Sequence, residues 1–413
     1  MQKFQFIILG AGPSGLALAH TLMDRGVPRS EILILEKESV AGGLCRSATV
    51  DGAPLDIGGG HFLDIKHQEV LDLLFRFMPE AEWNRHDRVS KIHLRGQMVD
   101  HPLEANLWQF DTETQVDYLE AIAQAGCVRG TPTPESFAAW IRWKFGERIA
   151  DDYMLPYNRK IWSMDPDLLG TYWLHKLPNV SFRETLHSCI EGKPYGSLPA
   201  HGVFLYPKEH GYGEVWRRMA DALGDSIQLG VDIESFDLAT RTINGTWQAD
   251  HVFNSVPWHA WLDWAALPDA VQDDIKALCN VSIDIDYVPE TLESQSHWIY
   301  EPDEQLQHHR KLLRSNFSPG ARGYWTETNH QRSEPANGWR HTNPYAYPVN
   351  TIDKPARVSR ILEWAKSRNI TEYHGIRALG HLGPHEFRYS GEERHRPRKV
   401  NQRHCCLSGL HLF

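Results

Sequence analysis

Cysteine is scarce in this chain and follows no pattern. Six cysteines (Cys45, Cys127, Cys189, Cys279, Cys405 and Cys406) are scattered over 413 residues, and none forms a Cys-x-x-Cys pair. Such scatter argues against a zinc site and against a disulfide framework, and it suits reduced thiols in the cytoplasm. Long apolar runs are missing too. No stretch approaches the roughly 20 residues that cross a bilayer, and the mean hydropathy is −0.47. Positive charge is not in excess: 43 Lys and Arg face 53 Asp and Glu, a net charge of −10, which excludes a nucleic-acid surface as the main theme. The first residues run straight into a strand pattern, so no signal peptide is expected. No internal repeat is found. At this length the chain can bury a large core in about two or three domains.

What the chain does have is glycine in telling places. Residues 3–9 (Lys-Phe-Gln-Phe-Ile-Ile-Leu) read as a buried parallel strand, followed at once by Gly10-Ala-Gly12-Pro13-Ser14-Gly15 and a helical pattern from Leu16. Residues 31–35 give a second strand that ends in Glu36. In this order Gly10 permits a tight turn, Gly12 lets backbone approach a pyrophosphate, and Gly15 lets helix and strand pack closely. A pyrophosphate would sit on the helix N-terminus, and Glu36 could accept ribose hydroxyls. The alternative is a glycine turn in an unrelated α/β fold. A second cluster follows, Gly42-Gly43-Leu44 and Asp56-Ile-Gly58-Gly59-Gly60-His61, as an isoalloxazine ring would require. The combination Glu36-Lys37, Gly-Gly-Leu and Asp-x-Gly-Gly resembles FAD proteins of the amine oxidase superfamily; a mobile loop is the simpler reading of Gly58–Gly60. With Val231 added, the expected cofactor contacts are Gly10, Gly12, Pro13, Ser14, Gly15, Glu36, Lys37, Gly43, Leu44, Gly59, Gly60 and His61. The 15 Trp, 14 Tyr and 15 Phe supply a core and could also line a pocket for flat rings.

Downstream, residues 67–79 read as a helix and residues 88–100 as a hairpin around Gly96. Residues 112–185 are helical in pattern, with strands returning near residues 202–207, 227–233, 250–257, 280–287, 298–300 and 311–317. The expected fold is α/β: a Rossmann-type FAD-binding domain with a helical insertion domain and a mixed β-sheet substrate domain. Its boundaries are set at 1–77, 200–265 and 335–413 for the FAD-binding domain. The sheet domain takes 78–105 and 266–334, and the helical insertion 106–199.

At this point a more specific resemblance stands out. The stretches Gly59-Gly60-His61, Arg88-Val-Ser90, Met154-Leu-Pro-Tyr-Asn158-Arg-Lys-Ile-Trp162, Tyr300-Glu-Pro with Arg310, Ser315–Pro319 and Tyr347-Pro348 resemble the UDP-galactopyranose mutases of the eukaryotic type. The resemblance implies a non-redox interconversion of UDP-galactopyranose and UDP-galactofuranose that needs reduced FAD, through a flavin N5–sugar adduct. NADPH or NADH would be the reductant. It implies that Arg310, Tyr300 and Tyr347 hold the UDP diphosphate, that Asn158 and Trp162 lie near the sugar nucleotide, and that His61 stands beside the flavin. Arg88 and Ser90 would contact the reductant. The plainer alternatives are sheet residues for Tyr300 and Tyr347, core for Trp162, and a surface ion pair for Arg310. No membrane or nucleic-acid partner is implied, and the oligomeric state is open.

The chain departs from that pattern in three places. Leu177 stands where a second diphosphate-binding arginine is expected, and His201 where an asparagine is expected; His175 or Lys176 could compensate for the arginine. Residues 376–413 show neither the expected Gly-Arg-Trp-Gly, whose arginine contacts FAD, nor the helix after it. They carry seven Lys and Arg against three Glu, with five His. A frameshift near Gly375 explains this: codons for residues 376–391 can be read one base later as Phe-Gly-Arg-Trp-Gly-Thr-Trp-Asp-His-Met-Asn-Ser-Asp-Ile-Ala-Val. A genuine basic tail is the alternative. Two other functions stay open: an FAD-dependent oxidoreductase of the amine oxidase or protoporphyrinogen oxidase type, and an inactive relic with a damaged C-terminus.

Overall fold

The computed structural model describes residues 1–174, 180–196 and 202–373. Strand Gln2–Leu9 is central to the first sheet, pairing in parallel with Ile32–Glu36 on one side and Trp247–Asn254 on the other. Its apolar run is continuous because both faces are covered. Phe6 and Ile8 pack with Leu16 and Leu18 of helix Pro13–Asp24 on one face. Ile7 and Leu9 pack on the other with Val271 and Ile275 of helix Asp269–Lys276 and with Ile361 and Ala365 of helix Lys354–Lys366. Ile227–Leu229 extends the sheet in parallel beyond Ile32–Glu36, and Ile370–Glu372 pairs in parallel with Trp247–Asn254. The two-strand additions Phe236–Asp237 and Thr242–Ile243 are antiparallel. This is a Rossmann-like layer, and its C-terminal edge, where ligands bind in such sheets, carries Gly10 and Glu36.

A second seven-stranded sheet is mixed. Its order is Arg340–Pro348, Asn280–Val288, Tyr324–Asn329, Arg310–Leu313, Trp298–Tyr300, Ser90–Leu94 and Gln97–Asp100. The sequence reading set Arg340–Pro348 in the nucleotide-binding part; it pairs instead with Asn280–Val288. Its polar residues gave no local sign of a partner some sixty positions earlier. Trp83–Asp87, set in the mixed-sheet part, pairs with Val203–Pro207, which also takes Leu63–Asp64. Phe204 of that small sheet meets Trp298 of the mixed sheet at 6.1 Å between ring centres. Helices Thr112–Ala123, Phe137–Ile149, Leu155–Trp162 and Phe182–Glu191 form the helical part. Among the described residues no helix is long and apolar enough to cross a membrane.

Candidate active site

The first glycine motif is built as tightly as its spacing requires. Gly10 has φ +96°, and its N–H donates to the Leu35 carbonyl at 2.9 Å. A Cβ on Gly15 would lie 2.1 Å from the Gly10 carbonyl oxygen, so helix and strand meet only through glycine. Gly12 is the N-cap of helix Pro13–Asp24 and offers no side chain, with Pro13 and Ser14 in the first turn. Gly43 comes so close that a Cβ on it would be 3.1 Å from the Gly12 Cα. Leu44 fixes the second cluster, since its carbonyl occupies the place a Gly58 side chain would take. This cradle suits the phosphates of a dinucleotide.

Glu36 was expected to meet ribose. Its carboxylate accepts the N–H groups of Ala11 at 2.7 Å and Glu38 at 2.9 Å, holding the two βα turns together at the sheet edge. Each oxygen keeps lone-pair capacity for a further donor. Val231 donates its N–H to the Glu36 carbonyl at 2.9 Å, and Lys37 is exposed.

The mixed sheet supplies a row of three polar residues. Tyr300 pairs directly with Arg310, and Arg310 directly with Glu327, on three neighbouring strands, so all three share one face. All three are buried. Arg310 Nε donates to Glu327 Oε2 at 3.0 Å, and Tyr347 donates to the same oxygen at 3.1 Å. His309 Nε2 lies 3.6 Å from it. Glu327 Oε1 accepts the Gly60 N–H at 3.0 Å. Burial pushes the Glu327 carboxyl up, but the Arg310 charge beside it prevails and holds it well below the usual range. Burial works against the Arg310 charge as well, yet Glu327 keeps it firmly protonated.

Helix Leu155–Trp162 lies across this row. It continues a π-helical turn, Ala150–Met154, at the end of helix Phe137–Ile149. Asn158 and Trp162 are one turn apart and bond to each other, indole Nε1 to Asn158 Oδ1 at 3.1 Å. The Trp162 ring meets Tyr347 edge to face at 6.4 Å. Tyr157 meets Tyr300 at 5.5 Å in the same manner. Asn329 holds the helix end on the sheet through the Ile161 carbonyl at 2.7 Å. Lys160 is buried and donates to the carbonyls of Glu301 and Asp303 at 2.7 and 2.6 Å. Burial lowers its pKa to about 8.

Arg88 and Ser90 lie next to this group. Arg88 Nε donates to Ser90 Oγ at 3.1 Å, and Nη2 to the Tyr300 hydroxyl at 3.1 Å. The guanidinium stacks 4.7 Å from the Trp298 ring centre. So the pair expected to meet the reductant touches a tyrosine expected to meet the diphosphate. His61 is buried, with Nδ1 3.2 Å from the Gly59 carbonyl, and its burial favours the neutral ring. The Gly59–His61 turn thus runs from the nucleotide cradle to Glu327.

Sequence reasoning overlooked Glu327 and gave no role to Lys160 and Asp56, which stand inside the motifs it singled out. The one available signal was an ionisable group inside a buried segment, as in Tyr324–Asn329, where all six residues are buried. Asp56 accepts Ser47 Oγ at 2.5 Å, the Tyr206 hydroxyl at 2.9 Å and the Tyr212 N–H at 3.1 Å. His175, Lys176, Leu177, His201 and the 376–413 tail, with its frameshift reading, lie outside the described residues.

Residues 8–77 match the NAD(P)-binding Rossmann-like domain family. A UDP-galactopyranose mutase from Mycoplasma pneumoniae is 26% identical over 221 residues, 47% of this chain and 50% of that protein. The chain thus spans about half the length of that curated relative. A putrescine oxidase from Kocuria rosea is 29% identical over 117 residues, 28% of this chain and 23% of that one. Among solved structures, a reduced UDP-galactopyranose mutase superimposes with a TM-score of 0.80 at 21% identity, covering 89% of this chain and 87% of that one. A protein described as a putative protoporphyrinogen oxidase, from Exiguobacterium, gives 0.65 at 13% identity, covering 90% and 93%. Fold and glycine cradle therefore define an α/β protein with a Rossmann-like nucleotide-binding domain, in a fold shared with a reduced UDP-galactopyranose mutase. Within that fold, about half of the chain is similar in sequence to a UDP-galactopyranose mutase.

Proposed function

We propose that this chain is a reduced-flavin-dependent mutase that interconverts UDP-galactopyranose and UDP-galactofuranose. The observation that carries this reading is the convergence of Arg310 and Tyr347 on one buried carboxylate beneath Asn158 and Trp162, with Tyr300 beside Arg310 on the neighbouring strand. A nucleoside diphosphate needs a fixed cation and hydroxyl donors at one place, and Arg310 with Tyr347 supplies both. Trp162, held at its indole nitrogen by Asn158, gives a flat wall for a ring. The Gly10–Gly15 and Gly43 cradle would hold the FAD pyrophosphate, and Gly59-Gly60-His61 would lie along its ring system. Reduced FAD, when bound, supplies the nucleophile for the anomeric carbon. The protein's part is to hold the diphosphate, orient the sugar and keep water away. His61, neutral and with Nδ1 at the Gly59 carbonyl, presents Nε2 as an acceptor. Arg88 and Ser90 would bind NADPH or NADH next to Tyr300.

The test is chromatography of UDP-galactofuranose incubated with dithionite-reduced protein. UDP-galactopyranose as product supports the reading, and Arg310→Ala should abolish it. A second reading, an amine oxidase-like oxidoreductase, is favoured by the likeness to putrescine oxidase. Flavin bound with no sugar product, and oxidation of an amine, would favour it.

A further inference from the structure

One carboxylate serves both halves of the site. Glu327 Oε1 accepts the Gly60 N–H at 3.0 Å, and Gly59 is so close that a Cβ there would sit 2.7 Å from the same oxygen. Gly59 has φ +95°, a left-handed conformation that glycine allows, and its carbonyl meets His61 Nδ1 at 3.2 Å. Glu327 Oε2 faces the other way, to Arg310 Nε at 3.0 Å and the Tyr347 hydroxyl at 3.1 Å. Its strand, Tyr324–Asn329, is internal to the mixed sheet and paired on both sides, so the carboxylate has a rigid base.

We propose that Glu327 is a positioning residue that couples occupancy of the diphosphate site at Arg310 to the flavin beside the Gly59–His61 turn. The inference rests on the mutase reading and adds a path to it. The negative charge of a carboxylate is shared between its two oxygens. An arriving diphosphate competes with Glu327 for the Arg310 guanidinium. As Oε2 loses that partner, the shared charge is less neutralised, and the bond from Gly60 and the field at neutral His61 both strengthen. The flavin, which lies along that turn in this reading, then experiences a different potential. Linkage requires the converse by the same factor: flavin reduction must change diphosphate affinity.

UDP, the leaving group of the proposed substrate, is the probe. Its Kd is measured calorimetrically on FAD-loaded full chain, oxidised and dithionite-reduced, for wild type, Glu327→Gln and Glu327→Asp. The aspartate keeps the charge but is one methylene too short to reach both elements, and it serves where the glutamine variant fails to fold. Wild type should bind UDP at least about fivefold differently in the two flavin states. In the variants the two values should agree within about twofold. Saturating UDP should shift the wild-type flavin potential by about 30 mV for each tenfold difference in affinity, and the variants much less. A variant that binds flavin and UDP with the wild-type ratio intact overturns the coupling and leaves the mutase reading standing. Equal wild-type affinities in both states do the same. A wild-type holoprotein that does not bind UDP overturns the mutase reading itself, and the coupling with it.

Discussion

Glu327 and Asp56 are both buried carboxyls, and their pKa values are displaced in opposite directions: the Arg310 charge outweighs burial at Glu327, and burial outweighs the hydrogen bonds at Asp56. Glu327 faces a guanidinium, so its folded pKa lies below the unfolded value. Its stabilising contribution is therefore complete above about pH 4.5 and is lost as pH falls through the acid range. Removing it leaves the buried Arg310 uncompensated, at a cost of about 3–5 kcal/mol. Urea unfolding of Glu327→Gln should show that full loss at pH 7 and a smaller one at pH 4; an equal difference at both would contradict the ion pair. Asp56 instead accepts three neutral donors, and burial raises its pKa to about 6. A raised folded pKa contributes stability that is complete below the unfolded value, near 4, and is lost as pH rises to about 6. At 1.36 kcal/mol per unit this amounts to about 3 kcal/mol. Asp56→Asn should flatten the urea midpoint between pH 4 and pH 6. A wild-type slope that survives the substitution would locate the proton elsewhere.

At the scale of elements, helix Phe137–Ile149 reaches the site through two irregularities. Gly146 stands at φ +77°, where a Cβ would lie 2.4 Å from the Ala121 carbonyl oxygen. The π turn Ala150–Met154 follows, and such turns gather at functional positions. Together they lead into Leu155–Trp162, which presents Tyr157, Asn158 and Trp162. Gly146→Ala must strain the turn or push helix Thr112–Ala123 away, which should cost about 1–3 kcal/mol. Thermal melts would detect this as a lower Tm, and an unchanged Tm would mean the kink relaxes freely. Helical periodicity over residues 112–185 was readable because it is local. The π turn was not, since one extra residue per turn leaves no mark in an apolar pattern already broken by Gly and Pro. Register was equally hidden. Tyr300 and Arg310 were recognisable as a spaced pair, but their meeting with Glu327 depends on how three strands align.

At the scale of the molecule, the strand–glycine–helix–strand opening made the first sheet legible, because each part of that unit answers to its own neighbours in sequence. The joint between the two large sheets was not, and Arg314 is its clearest member. This fully buried arginine donates to the carbonyl of Pro54 at 2.8 Å, to those of Val50 and Ala53, and to that of Arg322 at 3.4 Å. Its guanidinium also lies 5.3 Å from the Tyr287 ring centre. Hairpin Ser47–Asp56, which leads directly into the Gly58–His61 turn, is thereby fastened to the mixed sheet. Nothing in an arginine four residues after another signals a partner 260 positions away. Arg314→Met keeps the apolar stem but leaves buried carbonyls unpaired, at about 1–3 kcal/mol for each group. The hairpin and the glycine turn should then loosen before the sheets do. In the FAD-loaded protein, flavin release followed by fluorescence should coincide with loss of helix in wild type. In Arg314→Met it should come at a lower temperature than helix loss. Coincident transitions in the variant would mean that the turn is held by Glu327, Asp56 and the Asn343 bond to the Ile57 carbonyl without help from Arg314.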